Sequence, residues 1–133
     1  MKLALFAGIA ALTVSTGQAS AQCTAPMNFG TLRSALDGNY ACGSQGSESW
    51  NELHSGGILA DYKKGPTDKI DPTATVGTYT IGNNKGTGQV DYSYTAGSLQ
   101  FSYTVQSNGG TSYTFCPVSG GFPLSITIQP THC

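Results

Sequence analysis

The sequence has few charged residues, since Asp, Glu, Lys and Arg together occupy 10% of its 133 positions. Basic residues are not in excess, and the formal net charge is −1 at pH 7. Proteins that bind nucleic acid or anionic membranes by charge carry clustered Lys and Arg, so the composition argues against both partners. The sequence also lacks a G-x-S-x-G element and a glycine-rich phosphate loop. Two common enzyme signatures are therefore missing, and no cofactor is predicted.

Long apolar runs are missing as well. The run from Leu3 to Val14 is shorter than the ~20 residues that span a bilayer. With Lys2 before it and Ala19-Ser20-Ala21 after it, this run predicts a secretory signal peptide over residues 1–21. We therefore expect an exported chain beginning at Gln22, periplasmic or secreted, without membrane insertion. Because Gln22 is not the small residue that lipoprotein processing needs before a cysteine, no lipid anchor is expected at Cys23.

Residues 22–133 form a single predicted domain of 112 residues, a normal size for one hydrophobic core. Its four cysteines include no C-x-x-C pair, which argues against a zinc site. In an exported domain they predict two disulfides with three possible connectivities. We favour Cys42–Cys116, which would join an early strand to a late one, and Cys23–Cys133, which would tie the two ends.

The second half of the chain alternates apolar and polar residues with a period of two, which is typical of half-buried antiparallel strands. Short turn segments rich in Gly and Asn separate the strands and predict a meander. The apolar positions are Val90, Tyr92 and Tyr94; Leu99, Phe101, Tyr103 and Val105; Tyr113 and Phe115; and Leu124, Ile126 and Ile128. This alternation predicts that the tyrosines, Tyr79 included, face the core and not solvent.

The first half is less regular. Thr31–Asp37 has helical spacing with Gly38 as a stop signal, which predicts one short helix. A strand is predicted over Asn39–Cys42. Residues 47–54 and 58–64 predict a hairpin around Ser55-Gly56-Gly57, although the capping-box spacing of Ser49 and Glu52 leaves a helical turn as the alternative. A loop rich in Gly, Pro and Asp is expected over residues 65–75.

These elements amount to about eight strands, each beside its neighbour in sequence. An all-β barrel closed by its own strands would cover the apolar face and remove the sheet edges. Eight strands enclose an interior just wide enough for packed side chains or one small ligand. A two-sheet sandwich remains the alternative.

Reactive side chains concentrate between positions 48 and 71. On a strand, Trp50, Glu52 and His54 point to one side, and Asp61 and Lys63 share one face of the next strand. The hairpin would thus bring together a ligand-binding set of Trp50, Glu52, His54, Asp61 and Lys63. In an enzyme, His54 with Glu52 or Asp61 would form an acid–base pair.

Simpler roles exist for each of these residues. Trp50 is the only tryptophan and is typical of a core anchor, while Glu52 and Asp61 could pair with Lys63 or Lys64 at the surface. Asp68 and Asp71 have too few oxygen ligands around them for a calcium loop, so no metal site is predicted. His132 is expected to be an exposed tail residue.

The run W-N-E-L-H at 50–54, D-Y-K-K-G-P-T-D at 61–68, D-P-T at 71–73 and V-G-T at 76–78 resembles a group of small secreted proteobacterial proteins. Their shared pattern is W-x-E-x-H … D-Y-K-x-G-P-x-D-x-x-D-P-T … V-G-T, and Tyr113-Thr114-Phe115-Cys116 resembles their later Cys-bearing strand. The resemblance implies a bacterial exported protein and marks region 50–72 as distinctive. It implies no particular activity.

Three functions follow as hypotheses. The first is an exported, non-enzymatic barrel that binds a small ligand or a partner protein through region 50–72. The second is a small lyase- or isomerase-type enzyme based on His54. The third is a cell-surface assembly subunit that pairs through edge strands.

Overall fold

The computed structural model describes residues 23–46, 48–62 and 72–133. In this part of the chain one α-helix precedes eight strands, with a short 3₁₀ turn between the fifth and sixth. The elements are α1 (Phe29–Leu36), β1 (Tyr40–Gln45), β2 (Glu48–Ser55), β3 (Ile58–Tyr62), β4 (Pro72–Asn84), β5 (Thr87–Tyr94), the 3₁₀ turn (Ala96–Ser98), β6 (Gln100–Gly109), β7 (Ser112–Pro117) and β8 (Leu124–Gln129).

The strands form one closed antiparallel barrel in which each pairs with the next and β8 pairs with β1. The predicted barrel is therefore confirmed, and the sandwich alternative is wrong. Closure covers the apolar face, and it leaves no unpaired sheet edge among the described strands. Within the same residues, no helix has the length and apolar character needed to cross a bilayer.

The apolar residues that alternate with a period of two in the sequence lie on the inward face of the barrel, as predicted. Val90 and Val105 are fully buried, and Tyr79 and Tyr92 are buried with them. Tyr94, Tyr103 and Tyr113 are half-buried and pack against the same core. The prediction that these tyrosines face the core is confirmed.

Helix α1 covers the end of the barrel where β2 finishes and β4 turns into β5. Its Leu32 and Leu36 are fully buried in the core, and the Gly38 N–H donates to the His54 carbonyl at 2.7 Å. The helix begins two residues before the predicted start because the Asn28 side chain accepts from the Thr31 N–H and caps it. Its apolar residues thereby close this end.

The opposite end has no helix over it. There β1 and β2 meet, β3 ends, β4 begins, and the β5–β6 and β7–β8 connections lie. We call it the open end of the barrel.

The hairpin predicted around Ser55-Gly56-Gly57 is confirmed as β2 and β3, so the helical-turn alternative is wrong. The first strand extends beyond its predicted end, to Gln45. The predicted loop over 65–75 is wrong in its last part, because β4 begins at Pro72, which pairs with Tyr62. Residues 65–71 lie outside the described part of the chain, as does the predicted signal peptide.

Both favoured disulfide pairings are wrong: the bonds are Cys23–Cys116 and Cys42–Cys133. Barrel closure explains why the cysteines have other partners than predicted, because it places β1 beside β8, with Cys42 opposite Thr127. The chain leaving β8 therefore brings Cys133 to Cys42, and the Asn51 side chain accepts from the Cys133 N–H at 3.2 Å. The N-terminal segment instead runs along β6, where the Met27 N–H donates to the Val105 carbonyl, so Cys23 meets β7.

One close contact between β4 and β5 requires glycine. A Cβ on Gly77 would overlap the Ser93 carbonyl oxygen and lie 3.1 Å from the Tyr94 Cα. We expect Gly77→Ala to lower the free energy of unfolding by ~1–3 kcal/mol, because backbone atoms cannot move aside as a side chain can. Gly82→Ala on the same strand is the control, since its nearest neighbour would be the Gln89 carbonyl oxygen at 4.0 Å. Urea unfolding of both variants checks this expectation, which equal stabilities would contradict.

Candidate functional site

A cavity of about 270 Å³ lies inside the open end of the barrel. Its volume is close to the ~300 Å³ at which typical ligand pockets begin. Six of its lining residues are aromatic, four are aliphatic and two are polar. They are Trp50, Tyr92, Tyr94, Phe101, Tyr103 and Phe115; Ala41, Leu99, Leu124 and Ile126; and Gln45 and Glu52.

Glu52 is the carboxyl group of this cavity. It lies on β2 opposite Ala41 on one side and Asp61 on the other, and only 7% of its surface is exposed. The Tyr94 hydroxyl lies 2.9 and 3.1 Å from the two carboxyl oxygens and donates to them. Burial raises the pKa of Glu52 to about 7, the Tyr94 hydrogen bond opposes that rise, and the Asp61 charge adds to it.

His54 lies deeper on the same face of β2 and is completely buried. Its Nδ1 is 3.1 Å from the Glu52 carbonyl oxygen, and its Nε2 is 2.9 Å from the Tyr92 hydroxyl. Because a carbonyl oxygen only accepts, Nδ1 carries the proton and the Tyr92 hydroxyl donates to Nε2. Burial lowers the pKa of His54 to about 4, so the ring is neutral at physiological pH.

The polar contacts continue from His54 towards α1. The His54 and Tyr79 rings meet edge-on with centroids 4.8 Å apart, and the Tyr79 hydroxyl donates to Asp37 Oδ1 at 2.8 Å. This hydrogen bond is the main reason that the pKa of Asp37 lies below its usual value. Burial raises the pKa of Tyr79 to about 12. The buried tyrosine hydroxyl is thus partnered at the closed end, away from the cavity.

Aromatic rings from β2, β5, β6 and β7 surround Glu52. The Tyr92 and Tyr94 rings are stacked with centroids 6.2 Å apart, and Phe101 meets Tyr94 edge-on at 6.0 Å. Trp50 lies against β1 because Gly43 faces it, where a Cβ would be 3.2 Å from the indole. Trp50 therefore both packs on the core and lines the cavity.

Apolar side chains at the open end are exposed. Leu99 and Phe101, on the inward face, are 53% and 42% exposed. In the β7–β8 connection, Val118 and Phe122 are also exposed, Phe122 by 81%. The alternation placed Leu99 and Phe101 in the core, but no helix covers this end, so they line the cavity instead.

The structure separates the residues that the sequence grouped as a site. Trp50, Glu52 and His54 share one face as predicted, but only Trp50 and Glu52 reach the cavity. Asp61 faces the interior opposite Glu52 and is not among the described lining residues. Lys63, Lys64, Asp68 and Asp71 lie outside the described part of the chain. His132 is exposed, and its ring approaches Tyr40 edge-on at 6.4 Å.

The far wall of the cavity was not predicted from the sequence. It is formed mainly by Tyr92, Tyr94, Phe101, Tyr103 and Phe115. These residues were predicted as core only. A usable signal existed, because in a closed meander the end of β5 and the start of β6 must lie at the same end as the start of β2. Which of their side chains face Glu52 depends on strand register and barrel diameter, which the alternation does not specify.

Among the described residues, no group of three or more His, Cys, Asp and Glu side chains could hold a metal ion. In comparisons with known proteins, no protein family, curated protein or solved structure matches this chain. The chemistry of the cavity is therefore the basis for a functional proposal.

Proposed function

We propose that the protein binds a small organic molecule inside the open end of its barrel. The observation that carries this proposal is a buried carboxyl group, Glu52, within an aromatic cavity whose mouth reaches solvent. An apolar cavity with few placed polar groups is the usual form of a small-molecule site. Its position also fits, because barrel mouths are common ligand sites.

The energetics of Glu52 support a functional role. Burying an ionisable carboxyl without a cationic partner is unfavourable for folding at neutral pH, and no Lys, Arg or His side chain lines the cavity among the residues the structure describes. Groups that break a local rule of stability cluster at functional sites. A glutamine would serve the packing equally well, and a ligand that needs the carboxyl would account for the glutamate at this position.

We further propose that binding takes place outside the cytosol, in the periplasm or the medium. The two disulfides support this, because such bonds persist in oxidising compartments. The predicted signal peptide points the same way. Edge-strand assembly, the third hypothesis, has less support, since the described strands close on themselves.

The test is a titration of wild-type protein with 2-phenylethanol, a small neutral aromatic probe, followed by calorimetry and by fluorescence of Trp50, the only tryptophan. We expect Phe101→Ser to weaken binding roughly tenfold, because it removes an apolar ring from the cavity. Ile58→Ser is the matched control: Ile58 is 43% exposed against 42% for Phe101 but lies at the opposite end of the barrel. Equal affinities of the two variants, or no binding by the wild type at millimolar probe, would contradict the proposal.

Acid–base catalysis is the second candidate, and one observation favours it. A general acid or base works best with a pKa near the working pH, and the pKa of Glu52 is about 7. His54, the base of the sequence-based hypothesis, is enclosed and has both ring nitrogens in hydrogen bonds. A ligand recovered unchanged by mass spectrometry after long incubation supports binding, whereas conversion that Glu52→Gln abolishes supports catalysis.

A further inference from the structure

We propose that the ligand is a small organic cation: an ammonium group on a compact apolar or aromatic body. This inference rests on the proposed function and specifies its ligand class. The ammonium would lie against the Glu52 carboxylate, and the body would occupy the space among the surrounding rings. Three observations carry the inference: the sign of the local charge, the free hydrogen-bonding capacity of Glu52, and the aromatic walls.

Among the residues that the structure describes, the charged group lining the cavity has one sign, which is negative. Glu52 is the only carboxyl group in the described lining, and no basic side chain of the described residues lines the cavity. Asp61 lies directly across from Glu52 on β3, and its charge contributes to the raised pKa of Glu52. A cation is attracted by this arrangement, and a carboxylate ligand is repelled by it.

Glu52 has acceptor capacity left for a ligand. An ionised carboxylate has two oxygens with about four lone-pair positions. The described donor to it is the Tyr94 hydroxyl, which lies near both oxygens but has a single proton. An ammonium group has three N–H donors, so it can fill the positions that Tyr94 leaves.

The aromatic walls of the cavity also favour a cation. Tyr92, Tyr94 and Trp50 line the cavity beside Glu52, and aromatic faces attract ammonium groups, most strongly in desolvated sites. Phe101 and Leu99 extend the apolar lining to the mouth. With a volume of about 270 Å³, the cavity selects a compact body.

The test compares three probes that differ in one group: 2-phenylethylamine, 2-phenylethanol and 3-phenylpropanoate. At pH 8 we expect the amine to bind at least tenfold more tightly than the alcohol, and the acid to bind more weakly than the alcohol. Glu52→Gln should abolish the advantage of the amine, because the amide keeps the shape and removes the charge. Calorimetry gives the affinities, and far-ultraviolet circular dichroism confirms that the variant is folded.

The pH dependence is a second readout. The amine needs ionised Glu52, so its affinity should fall about tenfold per pH unit below pH 7 in the wild type and stay constant in Glu52→Gln. The titratable groups that face Glu52 are Asp61 on β3, Tyr92 and Tyr94 on β5, and Tyr103 on β6, with His54 on β2 itself. Burial keeps the pKa of the three tyrosines above the ordinary value, and that of His54 near 4, so these four stay neutral over pH 5–8.

The outcomes separate this inference from the proposed function. If the alcohol or the acid binds as tightly as the amine at pH 8, the cation inference is wrong and small-molecule binding stands. If the amine keeps its advantage in Glu52→Gln, the inference is wrong as well. If none of the three probes binds at millimolar concentration, both proposals fail.

Discussion

Replacing Glu52 with glutamine should raise the free energy of unfolding by ~3 kcal/mol at pH 8 and leave it nearly unchanged at pH 4.5. Burial raises the pKa of this carboxyl to about 7, from 4.5 in the unfolded chain, and each pH unit of displacement corresponds to ~1.4 kcal/mol. The folded state therefore holds the proton more tightly. The stability linked to Glu52 is present below pH 4.5 and is lost as the pH rises through about 7. Urea unfolding at a series of pH values measures the effect.

The stability linked to His54 depends on pH in the opposite direction, and the Glu52→Gln variant should make this dependence visible. Its pKa is lowered from 6.5 to about 4, so the stability linked to it is present above pH 6.5 and is lost as the pH falls through 4. In the wild type the two groups oppose each other between pH 4.5 and 6.5, and the stability should change little there. In Glu52→Gln only the loss from His54 remains, and the stability should fall steeply on acidification.

Tyr94→Phe is the matched control for this assignment. It removes the hydrogen bond that lowers the pKa of Glu52 and leaves the carboxyl in place. The pH at which the stability declines should therefore move above its wild-type position. A Glu52→Gln variant less stable than the wild type at pH 8 would show that the carboxyl is not buried at a disadvantage, and it would remove the energetic support for a ligand site.

Replacing Cys23 and Cys116 together with alanine should lower the free energy of unfolding by an amount on the order of 4 kcal/mol. The two cysteines are 93 residues apart. A cross-link that closes a loop of ~100 residues lowers the conformational entropy of the unfolded chain, which destabilises the unfolded state by about that free energy. The bond also holds the segment that leads into α1, where the Met27 N–H donates to the Val105 carbonyl. Urea unfolding compared with the wild type measures the loss.

Thiol titration of the unfolded variants checks the connectivity. Cys23→Ala/Cys116→Ala should have no free thiol, because Cys42–Cys133 remains. Cys42→Ala/Cys116→Ala should have two, because it breaks both bonds and leaves Cys23 beside β6 and β7 and Cys133 beside β1 and β2. It should therefore be the less stable of the two. Two thiols in the first variant and none in the second would overturn the connectivity.

The strand content and the barrel could be predicted because their signals are local. Alternation such as Val90, Tyr92 and Tyr94 specifies which face of a strand is apolar. Short Gly-rich turns favour pairing between strands that are neighbours in sequence. Helix α1 was predicted for the same reason, but its start was placed at Thr31. The helix begins at Phe29 because the Asn28 side chain caps it.

Contacts between residues far apart in sequence could not be predicted in this way. Cys42 pairs with Cys133 and not with Cys116 because β1 lies next to β8, and this follows only from closure. Glu52 and Tyr94 are 42 residues apart, and their hydrogen bond depends on the registers of β2–β3, β3–β4 and β4–β5 together. A slip of one residue in any of these pairs would turn one partner out of the barrel.

The sequence by itself determines that the chain forms antiparallel strands with one apolar face and a short helix. It also determines that β2 presents Trp50, Glu52 and His54 on the same side. Alternation and turn chemistry act over a few residues, so the order of the amino acids is sufficient for these features. Only the tertiary structure decided that α1 closes one end, that His54 is sealed beneath Tyr92, and that Glu52 remains in an aromatic cavity at the other. Those outcomes depend on the pairing and register of strands that are far apart in sequence, which no local pattern encodes.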